Sequence, residues 1–330
     1  MPAALSTTLR IAGHLAFALL LAGGTAWAAT ALSVHLAPPR LWAVWTTLGL
    51  AVVIALGLRW RNRGLSWAVL LATAIAVGGW YLTLQPRQDR DWAAEVAHGV
   101  TYAQTGDIVT VANIRNFDWT STTSATERWE TRTYDLKTLA TVDMFTSVWD
   151  DPDIAHLLVS FGFADGRYLT FSVEIRREAD EVFSTIGGFF RQFELVLIAA
   201  DEADVVRLRT NQRREDVHLF PVNLDADQRR ALFLTYLDFG NQLAESPQFY
   251  NTVTANCAST VYRLVQVIKP DMPMDRRLLF SGGLPEYIDE LGGLTGDMPM
   301  DRRRKLGAIT ARAQAIPPGA DFSQAIRTVN

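Results

Sequence analysis

At 330 residues, with 49% hydrophobic side chains and a mean hydropathy of +0.07, the chain is too apolar on average for an ordinary soluble protein. A net charge of −4 argues against nucleic acid as a partner. One cysteine excludes an internal disulfide, and a lone cysteine with scattered histidines matches no zinc spacing, so no metal or other cofactor is expected.

The apolar excess lies in the first quarter. Residues 11–34 hold His14 as their only ionisable group, and residues 41–58 and about 66–84 carry no charge. Each run approaches the ~20 residues that a bilayer core demands, which predicts three transmembrane helices in a membrane domain over 1–86. Arg10 precedes the first span, and Arg59-Trp60-Arg61-Asn62-Arg63 lies between the second and third. Positive residues stay in the cytoplasm, so the N-terminus is expected inside and everything after Leu84 outside. Ala26-Trp27-Ala28 resembles a signal cleavage site, and removal of the first span there would leave the other two in the same orientation.

From about Arg87 the composition is that of a folded domain. After a mixed stretch at 92–104, strands are predicted over Asp107–Phe117, Thr131–Leu136, Phe193–Ile198, Val205–Arg209 and Val217–Val222. The run at Leu139–Phe145 suits helix or strand. Asp225 caps a predicted helix from about Asp227 to Ala244, with Leu232, Tyr236, Phe239 and Leu243 along one face. The heptapeptide Asp271-Met-Pro-Met-Asp-Arg-Arg277 recurs at Asp297–Arg303, a turn used twice. Residues 296–330 read as a C-terminal tail whose last fifteen residues are loosely ordered.

A clear hairpin stands in the middle: Ile154–Phe161 and Tyr168–Arg176 flank Ala164-Asp165-Gly166-Arg167. A two-residue loop at Asp165-Gly166 would set His156 opposite Ile175, whereas a three-residue loop from Ala164 to Gly166 would set it opposite Glu174. Directly opposed residues lie about 5 Å apart at Cβ, close enough for a carboxylate to orient an imidazole. Ser172 shares the face of Glu174 and is another orienting group.

Cys257 is the other candidate. Val261, Leu264, Val265 and Ile268 mark an amphipathic helix just behind it, and Asn256 and Thr254 are cap residues ahead of it. In a first helical turn a thiol meets orphan N–H groups and the positive end of the dipole, which favour the nucleophilic thiolate. The alternative is a small buried thiol that only packs. A thiol nucleophile needs a base, and His156 is better placed than the exposed-looking His98 or the strand residue His218.

Several segments resemble the family of bacterial envelope proteins known through the periplasmic domain of the lipoprotein N-acyltransferase Lnb. They are Val111-Ala-Asn113-Ile-Arg115-Asn116-Phe117, His156–Phe163, Ser172-Val-Glu174-Ile-Arg176-Arg177-Glu178, Asn256-Cys257 and Phe280–Tyr287. The resemblance covers about 105–295 and implies an α+β domain over 87–295 with an antiparallel sheet plus helices. It further implies a permuted papain-like thiol fold, in which histidine precedes cysteine, carried on the periplasmic side of a bacterial inner membrane. Carried over, Cys257 is the nucleophile, His156 the general base and Glu174 its orienter. Asn256, Arg115 and Arg176 fall at the substrate, the arginines against a phosphate headgroup or in structural ion pairs. The implied activity moves a fatty acyl chain from membrane phospholipid to a lipoprotein amine. In the known family members the membrane segments are arranged differently, so three spans ahead of the domain depart from the pattern. Two other readings stay open: a periplasmic cysteine peptidase or amidase on cell-wall peptide, and a non-catalytic envelope module. An acyltransferase is expected to have an apolar groove beside Cys257. A silent module would leave Cys257 and His156 apart.

Overall fold

The computed structural model describes residues 2–328, with side chains from Thr8 onward, and its contacts divide the chain into two compact units. One comprises Met1–Pro86 with Phe190–Gln192, the other Arg87–Phe189 with Phe193–Asn330.

Three long helices build the first unit: α1 (Pro2–His35), α2 (Arg40–Arg61) and α3 (Arg63–Leu82). All three are long and apolar enough to cross a membrane. Between α2 and α3 the link shrinks to Asn62, whose side chain caps α3 by accepting the N–H of Leu65. Arg59, expected with the positive link, is turned inward. It donates to the Gly13 carbonyl at 2.7 Å and lies 4.5 Å from the centre of the Phe17 ring.

The second unit is a mixed α/β domain. Its strands are β1 (Thr101–Thr105), β2 (Ile108–Arg115), β3 (Asp118–Trp119), β4 (Ala125–Thr126), β5 (Trp129–Asp135), β6 (Leu139–Val148), β7 (His156–Phe163), β8 (Tyr168–Arg176), β9 (Glu194–Ala200) and β10 (Asp216–Pro221). Eight of them form one sheet in the order β1-β2-β9-β8-β7-β6-β10, with β5 also paired to β2. Every pairing in it is antiparallel except β2 with β9. Helices α4 (Thr185–Phe189), α5 (Glu202–Arg207), α6 (Ala226–Glu245), α7 (Cys257–Val265), α8 (Leu284–Glu290), α9 (Met300–Gly307), α10 (Thr310–Gln314) and α11 (Phe322–Ala325) surround it.

Both faces of the central strands are covered, which is why β9 reads Glu-Leu-Val-Leu-Ile-Ala-Ala without alternation and is buried throughout. On one face α6 starts at an Asp225–Gln228 capping box and sets Phe233 and Tyr236 against Phe161 and Phe171, with centroids 5.0 to 5.9 Å apart. On the other, Phe145, Leu158 and Ile198 pack with Val205, Ile309, Phe322 and Ile326.

Four expectations are corrected or completed. The Leu139 run is a strand, and a strand that the sequence did not announce, β1, forms within the mixed stretch. The β-branched run at 205–209 is not a strand but the end of α5 and a π-helical turn at Leu208–Gln212. Tertiary partners decide it: the Asp204 carboxylate accepts two bonds of 2.9 Å from Arg115, and others from the Phe117 N–H and the Trp119 indole. An extended chain would take Asp204 away from donors that have no other use for it. The repeated heptapeptide takes two forms, a capped 3₁₀ turn at Arg276–Leu278 and the opening of α9.

The supposed tail is part of the domain. Phe322 and Ile326 are buried, and Arg327 bonds both Asp143 of β6 and Glu202 of α5. Replacing Arg327 by alanine strands two buried carboxylates, at a cost of about 3 kcal/mol. The thermal-unfolding midpoint of the solubilised protein should fall accordingly; an unchanged midpoint would show that the terminal segment is dispensable.

Candidate active site

The β7–β8 turn has three residues. Gly166 takes φ +87°, its N–H bonds the Phe163 carbonyl, and the Phe163 N–H bonds the Arg167 carbonyl. Only glycine adopts that φ without strain. The pairing runs from Gly162–Tyr168 to Leu158–Ser172, and continuing it sets His156 opposite Glu174. His156 Nε2 lies 2.7 Å from Ser172 Oγ and 3.2 Å from Glu174 Oε1, and Ser172 Oγ donates to the same carboxylate oxygen at 2.6 Å. Because the serine proton goes to Glu174, its oxygen accepts from Nε2–H. Nδ1 is therefore the nitrogen left for Cys257, to which the ring is hydrogen-bonded.

Cys257 arrives from the other direction, at the first position of α7. Asn256 caps that helix: its side-chain oxygen accepts the Ser259 N–H at 2.8 Å, while its own N–H donates to Ser259 Oγ at 3.0 Å. Its amide nitrogen donates to the Thr252 carbonyl at 2.8 Å and holds the incoming loop. The cap takes up the N–H of Ser259, and the Asn256 carbonyl that of Thr260. The N–H groups of Cys257 and Ala258 remain at the mouth of the helix beside the sulfur. The Leu157 N–H also donates to the sulfur.

Electrostatics favour an ion pair here. Burial and the nearby Arg209 guanidinium oppose a charged imidazole, yet the Glu174 carboxylate and the Cys257 thiolate carry His156 up to about 9. Burial alone would raise the Cys257 thiol; the imidazolium, the bond to it and the Leu157 N–H bring it below its ordinary value. Glu174 is held well below the carboxylate range, against burial, by His156, Arg209 and Ser172. Both shifts favour the thiolate–imidazolium form of the pair, the form that a thiol nucleophile would need.

Arg209 is the member that sequence reasoning missed. It comes from the π-helical turn, donates to Glu174 at 3.0 Å and to Glu215 at 3.2 Å, and is itself buried; Ser147 bonds Glu215 from the neighbouring β6. A second carboxylate behind the guanidinium offsets the cost of burying it.

The other expected site residues are spent on the fold. Both faces of the Asn256 amide are used by the cap and the loop. Arg115 is buried against Asp204 and the Glu95 carbonyl. Arg176 donates to the carbonyls of Val96 and Ala97 and lies over the Trp92 ring. These are the structural ion pairs and bonds that the sequence left open, in place of headgroup contacts. His98 is exposed against Trp129, and His218 stacks with Phe220. A cavity of about 380 Å³ in this unit, lined by residues including Tyr168, Met298 and Arg327, does not include Cys257, so it is not the apolar groove expected there.

Phe280–Tyr287 has a mechanical place. Ser281 Oγ bonds both the N–H and the carbonyl of Ala155, and the Gly282 N–H bonds the Asp153 carbonyl. This latch fixes the residues just before His156. A Cβ on Gly282 would stand 1.9 Å from the Pro152 carbonyl oxygen. Gly282→Ala should therefore cost about 1–3 kcal/mol, seen as a lower unfolding midpoint, and slow Cys257 alkylation by displacing His156. If neither changes, the latch is not what positions the base. Alkylation of wild-type Cys257 by iodoacetamide should have its midpoint below the ordinary thiol value of about 8.5, declining only as pH falls through the thiolate's lowered pKa. In His156→Ala that midpoint should move up by more than about one pH unit, since each unit is about 1.4 kcal/mol of lost ion pairing. Equal midpoints would remove the ion pair.

In comparison with known proteins, residues 125–282 fit the family model of the Lnb N-terminal periplasmic domain. No curated protein and no solved structure matches the chain. The matched stretch contains His156, Ser172, Glu174, Arg209 and Cys257, while Val111–Phe117 and the last residues of Phe280–Tyr287 lie outside it. Over these residues the chain is similar to the Lnb N-terminal periplasmic domain.

Proposed function

We propose that this protein is a membrane-anchored thiol acyltransferase that takes a fatty acyl chain from phospholipid through a Cys257 thioester and passes it to an amine, in a lipoprotein N-terminus. The observation that carries this reading is the thiolate–imidazolium pair at the start of α7, with Ser172, Glu174 and Arg209 behind the imidazole. The family match supports an Lnb-type role for the domain. A cysteine opening a helix that packs on the strand bearing an earlier histidine is the arrangement that a permuted papain-like fold would give.

The chemistry divides into two balanced steps. Cys257 Sγ attacks the ester carbonyl; the oxyanion is met by the Cys257 and Ala258 N–H groups at the helix mouth. The C–O bond breaks, and Nδ1–H of His156 gives its proton to the departing lysolipid oxygen. The acceptor amine then attacks the thioester, C–N forms as C–S breaks, and His156 takes the amine proton, restoring the pair. Glu174 and Ser172 hold the ring tautomer through Nε2, and Arg209 keeps Glu174 ionised.

The three apolar helices would place the chain in the bacterial inner membrane, N-terminus in the cytoplasm and the domain in the periplasm. That tether raises the effective concentration of lipid at the domain. Intact-mass analysis in native-like lipid tests the reading. The wild type should carry a hydroxylamine-sensitive increase of one fatty acyl chain, absent in Cys257→Ser and reduced at least about 100-fold in rate in His156→Ala, the range of general base catalysis. Release of free fatty acid without transfer to an amine would make it a hydrolase, and no adduct in any variant, acceptor present or absent, would sink the thioester.

A further inference from the structure

We infer that residues 182–189, between β8 and β9, are a lipid-inserting segment that presents the acyl donor beside Cys257. Four large apolar side chains stand exposed here within eight residues: Val182 at 81%, Phe183 at 59%, Ile186 at 57% and Phe189 at 47%. Isolated exposed apolar residues need no explanation, but a run of this density marks an interaction surface.

The occupant follows from chain connectivity. Residue 189 is followed directly by Phe190–Gln192, which belong to the unit of the three apolar helices. There the Phe190 carbonyl meets His35 Nε2 at 2.6 Å, its ring lies 5.9 Å from that of Trp27, and Arg191 donates to the Tyr81 carbonyl with its guanidinium 4.8 Å from the Tyr81 ring. His35 ends α1 and Tyr81 lies next to the end of α3. Tryptophan and tyrosine are enriched at membrane–water interfaces. A segment whose next three residues belong to that unit is tethered to it by the chain, and this connectivity points to lipid as the occupant of its apolar side chains, as for an interfacial anchor.

The same segment touches the nucleophile's approach. Thr252 Oγ1 donates to the Thr185 carbonyl at 3.2 Å and the Thr252 N–H to the Gly188 carbonyl at 3.4 Å. Gly188 is packed so closely that a Cβ would lie 2.4 Å from Thr252 Oγ1. Thr252 is in turn bonded by Asn256, the cap beside Cys257, and the adjacent Val253 is itself 45% exposed. Lipid entering over 182–189 would therefore meet the loop that opens into Cys257. The delivery part of this inference rests on the acyl-transfer reading; the insertion does not.

Cys257 is the chain's one cysteine, so Cys257→Ser with Phe183→Cys carries a single label. In full-length protein reconstituted in phosphatidylethanolamine–phosphatidylglycerol vesicles, an environment-sensitive fluorophore at 183 should be quenched at least about twofold by brominated acyl chains and protected from aqueous iodide. Quenching by iodide with no effect of bromination would overturn insertion, and protection from both would replace lipid by a protein partner. In a wild-type background, Val182→Asp with Phe183→Asp should lower thioester formation from phospholipid about tenfold while leaving Cys257 alkylation unchanged. Unchanged acylation would overturn delivery. Absent acylation in the wild type, with the label still quenched by lipid, would fault the acyl-transfer reading alone.

Discussion

Everything at the site depends on the register of β7 against β8. Side chains alternate along a strand, so a slip of one residue would turn Ser172 and Glu174 to the opposite face from His156. The three-residue turn, closed through Gly166 in a left-handed conformation, fixes that register from the far end of the hairpin. From the near end the Ser281–Gly282 latch fixes the residues that lead into His156. An imidazole clamped at both ends of its strand needs no reorganisation to meet a thiol that arrives from another part of the chain.

Burial sets the strength of what the register assembles. A carboxylate, an imidazole and a thiol taken partly out of water would each prefer to be neutral. They stay charged because they are arranged in alternation: thiolate, imidazolium, Glu174 carboxylate, Arg209 guanidinium, Glu215 carboxylate. Each charge offsets the desolvation of its neighbours, and removing one exposes the next. Arg209 occupies a double position, since it opposes charge on His156 while it sustains the charge on Glu174. Its net effect on the thiolate depends on the balance of those two influences.

The arginines that looked suited to a phosphate show the converse. Guanidinium groups match phosphate well, but they match carboxylates and carbonyls equally well. In Arg115 and Arg176 every donating arm meets the protein's own acceptors, and both side chains are buried. What the domain leaves exposed instead is apolar surface at 182–189, directly ahead of Phe190–Gln192 in the chain.

Local features were legible from the sequence because they are written in periodicity and caps. Charge-free runs gave the three helices, Asn256 ahead of an amphipathic pattern put Cys257 at a helix start, and Asp-Gly between β-rich runs gave the hairpin. The pairing of His156 with Glu174 was one of two registers, and only the folded hairpin chose, because a one-residue difference in a turn leaves the flanking composition unchanged. Arg209 was invisible for a different reason. Its Val-Val-Arg-Leu-Arg run favours a strand, and the helix that replaces it is held by Asp204 bonding Arg115, 89 residues away. The C-terminal segment likewise looked loose until Arg327 met Asp143 and Glu202. Caps and periods act within a few residues and can be read along the chain; buried charge pairs act across the sheet, and only the tertiary structure brings their two ends together.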